Sequence, residues 1–265
     1  MIPKVIHYCW FGGNPKSTVA VKCIESWKRY CPDYEIKEWN ESNYDVEKHP
    51  FMKKAYEKKK WAFVSDYARV DVLHQYGGVY LDTDVELIAS INPFLEYDFY
   101  AGFESASFVN FGLGFGAIEG HPVLRDILDY YDKLDFPENE FGLSMVSCPR
   151  IQTKVLEKYG LECNNKTQDF EGIYIFNKEF FNPRSFQTGE TKITANTVSI
   201  HHYDMSWTTD SFKKLKDREW KLVKIFGPEW GKRLSMIVNF PSKLMERAND
   251  GTLVDYFKLL AKRNK

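Results

Sequence analysis

Apolar and aromatic residues crowd the start of the chain, where Val5, Ile6, Tyr8, Cys9, Trp10 and Phe11 run almost unbroken into Gly12, Gly13 and Pro15. A run of this length closed by turn formers predicts a buried strand entering a loop. Beyond Ser17, a helix-capping residue, the positions Ala20, Cys23, Ile24, Trp27 and Cys31 return at helical spacing until Pro32 stops them. Tyr34, Ile36 and Trp39 then lie in an extended-looking stretch that predicts a second strand, followed by turn formers from Asn40 to Asp45. A long helical pattern over 52–76 brings Phe63, Tyr67, Val70 and Leu73 or His74 to one side, and Gly77 with Gly78 caps it. Val79, Tyr80 and Leu81 form a brief strand that runs directly into Asp82-Thr83-Asp84. Strands alternating with helices imply an α/β sheet with parallel pairs.

The second half is less regular. Residues 110–116 are rich in glycine and phenylalanine, and Val123, Ile127, Leu128 and Tyr131 mark a further helix over 122–134. Turn residues punctuate 134–197 too often for elements to be assigned. Val198, Ser199 and Ile200 predict a last core strand leading to His201 and His202, and beyond Trp207 the pattern is mostly helical.

Composition narrows the functional classes. With 36 Lys plus Arg against 37 Asp plus Glu, the chain has no field that would draw a polyanion, and a nucleic-acid partner is not expected. No segment approaches the roughly 20 apolar residues of a membrane span, and none resembles a signal peptide, so a cytoplasmic location is expected. Five cysteines (Cys9, Cys23, Cys31, Cys148, Cys163) with no C-x-x-C spacing read as buried thiols rather than as a disulfide framework or a zinc cluster.

The candidate chemistry centres on Asp82 and Asp84. Two carboxylates one residue apart at a strand end can bind a hard divalent cation through oxygen and leave positions for phosphate and water. The alternative is two exposed aspartates in a turn. Asp66 and Arg69 share one face of the preceding helix at i, i+3 spacing, an arrangement that in isolation is an ordinary ion pair worth about 0.2–0.5 kcal/mol. In open α/β sheets ligands bind beyond the carboxyl ends of strands, which is where both the Trp10 loop and the Asp82 loop fall. An EF-hand is excluded because Leu87 and Pro93 stand where its glycine and its bidentate glutamate belong. Pro15 breaks the nearest approach to a Walker A loop, and the glycines at 112, 114 and 116 miss a dinucleotide fingerprint.

Ser65-Asp66-Tyr67-Ala68-Arg69, then Leu73, then Gly77-Gly78-Val79-Tyr80-Leu81-Asp82-Thr83-Asp84 is similar to the signature of DXD sugar transferases. It resembles glycosyltransferase family 32, which includes bacterial capsular and lipopolysaccharide enzymes and fungal mannosyltransferases and shares its core pattern with the glucosylating domains of large clostridial toxins. The opening 2–13 and the segment 201–207 also resemble that family's first strand and closing motif. The resemblance implies a GT-A type α/β fold, with a Rossmann-like nucleotide-binding sheet flanked by helices and a mostly helical C-terminal segment. Its catalytic domain would span 1–233, with a helical extension over 234–265 packed on it.

Carried over by position, the resemblance implies that Asp84 ligates a divalent metal, Mn or Mg, and that Asp82 assists the metal and binds ribose or sugar. Asp66 would hold sugar hydroxyls and Arg69 would contact sugar or phosphate. Ser65, Tyr80 and Asn110 would border the donor, Trp10 would stack on the nucleobase, and Trp207 would close over the diphosphate. His202 is the preferred further metal ligand over its neighbour His201. Structural alternatives stand beside these roles: a strand-end core aromatic for Trp10, strand core for Tyr80, a loop residue for Asn110 and a surface turn for the histidines.

The implied reaction is retaining transfer of a hexose from a nucleotide sugar to a hydroxyl of a growing surface polysaccharide or lipid-linked oligosaccharide. A UDP-sugar is the preferred donor and GDP-mannose the other. The amphipathic segment 234–265 offers peripheral contact with the inner face of the plasma membrane, or ordinary helix packing. Two other classes compete: a Mg-dependent phosphohydrolase, which would want Thr where Glu86 stands, and a noncatalytic calcium or carbohydrate-binding module.

Overall fold

The computed structural model describes residues 1–138, 140–205, 208 and 210–249. The first apolar run forms β1 (Val5–Cys9), and the helical pattern after it forms α1 (Thr18–Tyr30). Ser17 caps α1 as expected, its side chain accepting from the Ala20 N–H at 3.1 Å. The second expected strand is β2 (Glu35–Trp39).

The single long helix expected over 52–76 is two helices, α2 (Pro50–Glu57) and α3 (Trp61–Tyr76). Lys59 between them adopts a left-handed φ of 56°. The Lys60 N–H donates to Ala55 O and the Lys59 N–H to Tyr56 O, both at 2.9 Å, which is the double hydrogen bond of a Schellman cap made without glycine. A lysine-rich stretch carries no breaker signal, so the pattern ran through it. The helix α3 is also not one-sided: Val64, Asp66, Tyr67, Ala68 and every residue on to Leu73 are buried. It lies in the core with all its faces covered.

At its end Gly77 (φ 62°) donates its N–H to Leu73 O, and β3 (Gly78–Tyr80) begins at once. The acid pair follows, then β4 (Val85–Leu87). Next come β5 (Phe99–Gly102), β6 (Phe115–Ala117) and α4 (Pro122–Tyr131). The stretch that sequence could not parse holds α5 (Glu140–Met145), α6 (Cys148–Glu157), β7 (Gln168–Phe170), β8 (Ile173–Phe176) and α7 (Lys178–Phe181). After β9 (Ser199–His201) the chain ends its described part in α8 (Asp210–Asn249).

Among the described residues seven strands form one sheet in the order β2-β1-β3-β6-β5-β8-β7. The β1 strand is parallel to both β2 and β3, and β5 is parallel to β8; β6 is antiparallel to both its neighbours, as β7 is to β8. Apolar clusters cover both faces. One gathers Trp39, Phe51, Tyr67, Phe99, Phe111 and Ile127, and the other Ile6, Trp27, Val79, Phe94 and Phe181. This is the α/β architecture expected of the GT-A type, with its strands between helices. The last expected core strand differs, because β9 leaves the main sheet and pairs antiparallel with β4 in a separate ribbon.

Cys9, Cys23, Cys31 and Cys148 are buried free thiols as expected, whereas Cys163 is exposed. Of the described residues, those up to Arg184 and from Thr191 to Met205 form one compact unit. Ser185–Glu190 and the residues from Thr208 onward form a second. In that second unit α8 is broken at Gly227 (φ 79°, ψ 168°), which Pro228 follows. The Arg218 guanidinium donates to Asn239 Oδ1 (3.3 Å), and Asn239 Nδ2 to Leu215 O (3.1 Å), so the two arms fold back antiparallel. Gly231 lies so near the Val223 backbone that a side chain there would strike it.

Candidate active site

The parallel pairing of β1 with β3 brings their carboxyl ends to one edge of the sheet, and the Leu81 N–H donates to His7 O across that edge. The Trp10 loop and the Asp82–Asp84 loop therefore leave the sheet side by side, at the position where α/β folds bind ligands. They are tied further along. The Ser17 hydroxyl donates to Asp204 Oδ2 (3.3 Å), and the Asp204 N–H donates to Asp84 Oδ2 (2.9 Å). Tyr203 and Met205 hold left-handed φ values of 56° and 50° on either side of Asp204, a costly conformation that aims its N–H at the acid.

Beneath the pair, Arg69 from α3 binds Asp66 Oδ1 at 2.9 Å and Asp82 Oδ1 at 3.1 Å, and its Nε donates to Ser65 O at 3.2 Å. The Arg69 side chain is 4% exposed, against 27% for Asp82. The Tyr80 hydroxyl donates to Asp82 Oδ1 (3.0 Å), and the guanidinium lies 4.9 Å from the Tyr80 ring centre. Arg69 and Tyr80 thus act on Asp82, holding one of its oxygens from below. Gly112, in the glycine-rich turn between β5 and β6, closes the same corner, where any side chain would collide with Asp82 and Arg69. Asn110 caps that turn, its Oδ1 accepting from the Gly112 N–H at 2.7 Å.

The antiparallel β4–β9 ribbon carries the third element. His201 Nε2 lies 3.2 Å from Asp84 Oδ1, and ligand atoms of Asp82, Asp84 and His201 all fall within 4.8 Å of one another. His202, preferred on sequence, turns away: its Nε2 meets Glu86 Oε2 at 2.7 Å, and Lys22 holds the same carboxylate at 3.0 Å. The ribbon register sets His201 opposite Val85, and just beyond it the His202 N–H donates to Asp84 O at 2.9 Å, so it is the ring of His201 and not that of His202 that lies against the acid pair. Trp10 is half-buried, its indole N–H bound to Asn14 O at 2.7 Å and the Lys16 ammonium 5.8 Å from its ring centre. Trp207 lies outside the described residues.

Electrostatics divides the acids. Burial alone would raise Asp84, but the His201 charge and hydrogen bond, with the Asp204 N–H, outweigh it and hold the group down at about 2. Burial raises Asp82 despite the opposing pull of Arg69, and it pushes Asp66 up to about 6. His201 is raised because Asp84 and then Asp82 overcome its burial. Two carboxylates and an imidazole suit Mn, Mg or Zn, and the His201 Nδ1 is buried without a partner among the described residues. The donor set fits a divalent cation.

Residues 17–100 match the family described as a glycosyltransferase sugar-binding region containing the DXD motif. This part of the chain is similar to a DXD sugar-binding region. Inositol phosphoceramide mannosyltransferase 3 of Schizosaccharomyces pombe is 28% identical over 134 residues, which cover 48% of this chain and 36% of that protein. The chain therefore spans about a third of the curated relative it matches. Among solved structures, the PaToxG glycosyltransferase shows 17% identity and a TM-score of 0.48, covering 59% of this chain and 69% of that one. A glycosyltransferase involved in glycosylation of the major capsid of PBCV-1 shows 14% identity and a TM-score of 0.45, covering 83% of this chain and 100% of its own.

The matched span supplies Asp66, Arg69, Tyr80, Asp82 and Asp84, and other residues of the site lie outside it. Asp204 and His201 come from the far end of the chain. Glu104 stands two residues past the end of β5; burial raises it, against the opposing pull of His201 and of a hydrogen bond with Asn110. Its place beyond a strand's carboxyl end is a signal that sequence reasoning could have used. Gln152 on α6 was invisible by spacing: its Oε1 accepts from the Phe111 N–H at 2.9 Å, and its buried Nε2 has no partner among the described residues.

Proposed function

We propose that this chain is a divalent-metal-dependent glycosyltransferase that moves a hexose from a nucleotide sugar, with retention, to a hydroxyl of a saccharide acceptor. The observation that carries this reading is the convergence of Asp82, Asp84 and His201 at the carboxyl edge of the sheet, with Asp82 held from behind by Arg69. Asp84 is kept anionic by its neighbours, and Tyr80 and Arg69 fix the orientation of Asp82, so the donor atoms are in place before a ligand arrives. A cation held by Asp82, Asp84 and His201 supplies Lewis-acid stabilisation of a departing diphosphate. The half-exposed Trp10 ring offers a face on which a nucleobase stacks. The acceptor proton passes to the departing diphosphate oxygen, so no protein nucleophile is required.

A UDP-sugar is the preferred donor. The mannosyltransferase name of the fungal relative favours mannose, carried by GDP, as the second reading. The acceptor is proposed to be lipid-linked or part of a surface polysaccharide, at the cytoplasmic side of the membrane. Replacing Asp84 by Asn should leave the far-UV circular dichroism unchanged and lower metal-dependent transfer by about 100-fold or more. Turnover that survives EDTA would overturn the reading, and thermal stabilisation by GDP with Mn but not by UDP would select the second donor.

A further inference from the structure

The helical hairpin of α8 is packed inside out. Along its second arm the buried positions are Gly231, Ser235 and Asn239, one turn apart, while Trp230, Met236, Ile237 and Phe240 face outward. Small and polar residues at i, i+4 and i+8 let the two arms approach closely, as the contact of Gly231 with Val223 shows. The apolar residues are left over. Ile225 and Phe226, on the end of the first arm, are likewise exposed, and Ile225, Trp230 and Ile237 reach 70%, 62% and 70% exposure. An amphipathic helix in water turns its apolar stripe to the core, so this orientation leaves several large apolar side chains of the hairpin in the open with something still to cover them.

Charge says what covers them. Between 221 and 241 the chain carries Lys221, Lys224, Lys232 and Arg233 against one acid, Glu229. Lys221 and Lys224 are exposed beside the hairpin tip, and the Arg233 guanidinium lies 5.4 Å from the Trp230 ring centre. Apolar and aromatic side chains edged with cations are the composition of a surface that sinks into the headgroup layer of an anionic bilayer. A second copy of this chain on a two-fold axis would set these cations against their own counterparts. No helix of the described residues is long and apolar enough to cross a membrane, which leaves the in-plane arrangement.

We propose that the tip and outer face of this hairpin, centred on Phe226, Trp230 and Ile237, dock in the plane of an anionic lipid bilayer. The inference stands apart from the glycosyl-transfer reading, because binding to vesicles is measured without donor or acceptor.

The full-length chain should sediment with phosphatidylcholine vesicles containing phosphatidylglycerol, more weakly at high salt, and little with phosphatidylcholine alone. The triple change Phe226→Ser, Trp230→Ser and Ile237→Ser should weaken partitioning by about 10-fold or more. Its far-UV circular dichroism and Tm should match the parent, since all three side chains are exposed. Lys221→Glu with Lys224→Glu and Arg233→Glu, a second variant that leaves the apolar face intact, should abolish the preference for the anionic lipid. Failure of the parent chain to sediment with the anionic vesicles overturns the proposal, as does sedimentation that the serine variant leaves unchanged. A concentration-dependent dimer in analytical ultracentrifugation that the serine variant dissolves would assign the face to a second copy instead.

Discussion

Neighbouring histidines at the end of one short strand meet different acids. His201 Nε2 reaches Asp84 and His202 Nε2 reaches Glu86, so one joins the Asp82 and Asp84 pair and the other an ion pair completed by Lys22. His201→Ala should weaken Mn binding, measured by titration calorimetry in the presence of UDP, by more than the ~10-fold that loss of an outer-shell partner costs. His202→Ala should leave Mn affinity within about 2-fold and cost under ~1 kcal/mol of stability, since its pair is partly exposed. Equal losses of Mn affinity in the two variants would disprove the assignment. Spacing places the acids Asp66, Asp82 and Asp84 and the cation Arg69 on one helix–turn–strand segment, and it was the resemblance to a known signature that singled them out. The choice between the histidines was not legible, because it depends on the pairing of β9 with a strand more than a hundred residues earlier.

Elements place these residues through a tight joint. The turn from α3 into β3 uses Gly77 and Gly78 at φ 62° and 104°, and a Cβ on Gly78 would stand 2.8 Å from His7 Nε2 and 2.9 Å from Val5 O. Gly78→Ala should therefore destabilise the fold by about 2–4 kcal/mol, combining the left-handed backbone with a clash against a main-chain oxygen. Gly120→Ala is the control, with φ 69° and nothing within 4 Å of a new Cβ, and should cost only about 1–2 kcal/mol in urea denaturation. Similar losses at both positions would show that backbone conformation alone requires Gly78. The capping glycine and the strand after it could be read from sequence, since glycine is what a left-handed helix end selects. The break between α2 and α3 could not, because Lys59 takes up the same geometry with no compositional mark.

At the scale of the whole molecule, the sheet is sealed around a buried neutral imidazole. Trp39 donates its indole N–H to His7 Nδ1 (3.0 Å), and His7 Nε2 donates to Gly77 O (3.1 Å), an arrangement that needs one protonated and one bare nitrogen. Burial pushes His7 down to about 4. Between about pH 6.5 and 4 the unfolded chain takes up a proton that the folded chain refuses. The His7 contribution to stability should therefore fall as pH drops through that window, by up to about 3 kcal/mol, and level off below it. Burial of His49 and His121 acts in the same sense, and the raised Asp66, Asp82, Glu104 and His201 act in the opposite one. Urea denaturation from pH 7 to 4 should therefore show the His7 part as the difference in slope between the parent and a His7 variant. His7→Gln is that variant, and an unchanged slope would mean that other groups carry it.

Local order was legible wherever physics acts over a few residues. Apolar runs, glycine stops and the acid pair at a strand end each report interactions within one or two turns of chain, so β1, α1, β2, β3 and the carboxylates just beyond β3 could be named in advance. Long-range pairing settled the rest. The segment from 134 to 197 became helices and strands because α6 and β8 pack on a sheet laid down by earlier strands, and its irregular sequence makes sense only against those partners. The meeting of Asp82, Asp84 and His201 needs β9 folded onto β4, and the outward apolar face of α8 follows from one arm lying on the other. A one-dimensional pattern records which side of an element is apolar; what that side meets is decided by the energy of contacts between residues far apart along the chain.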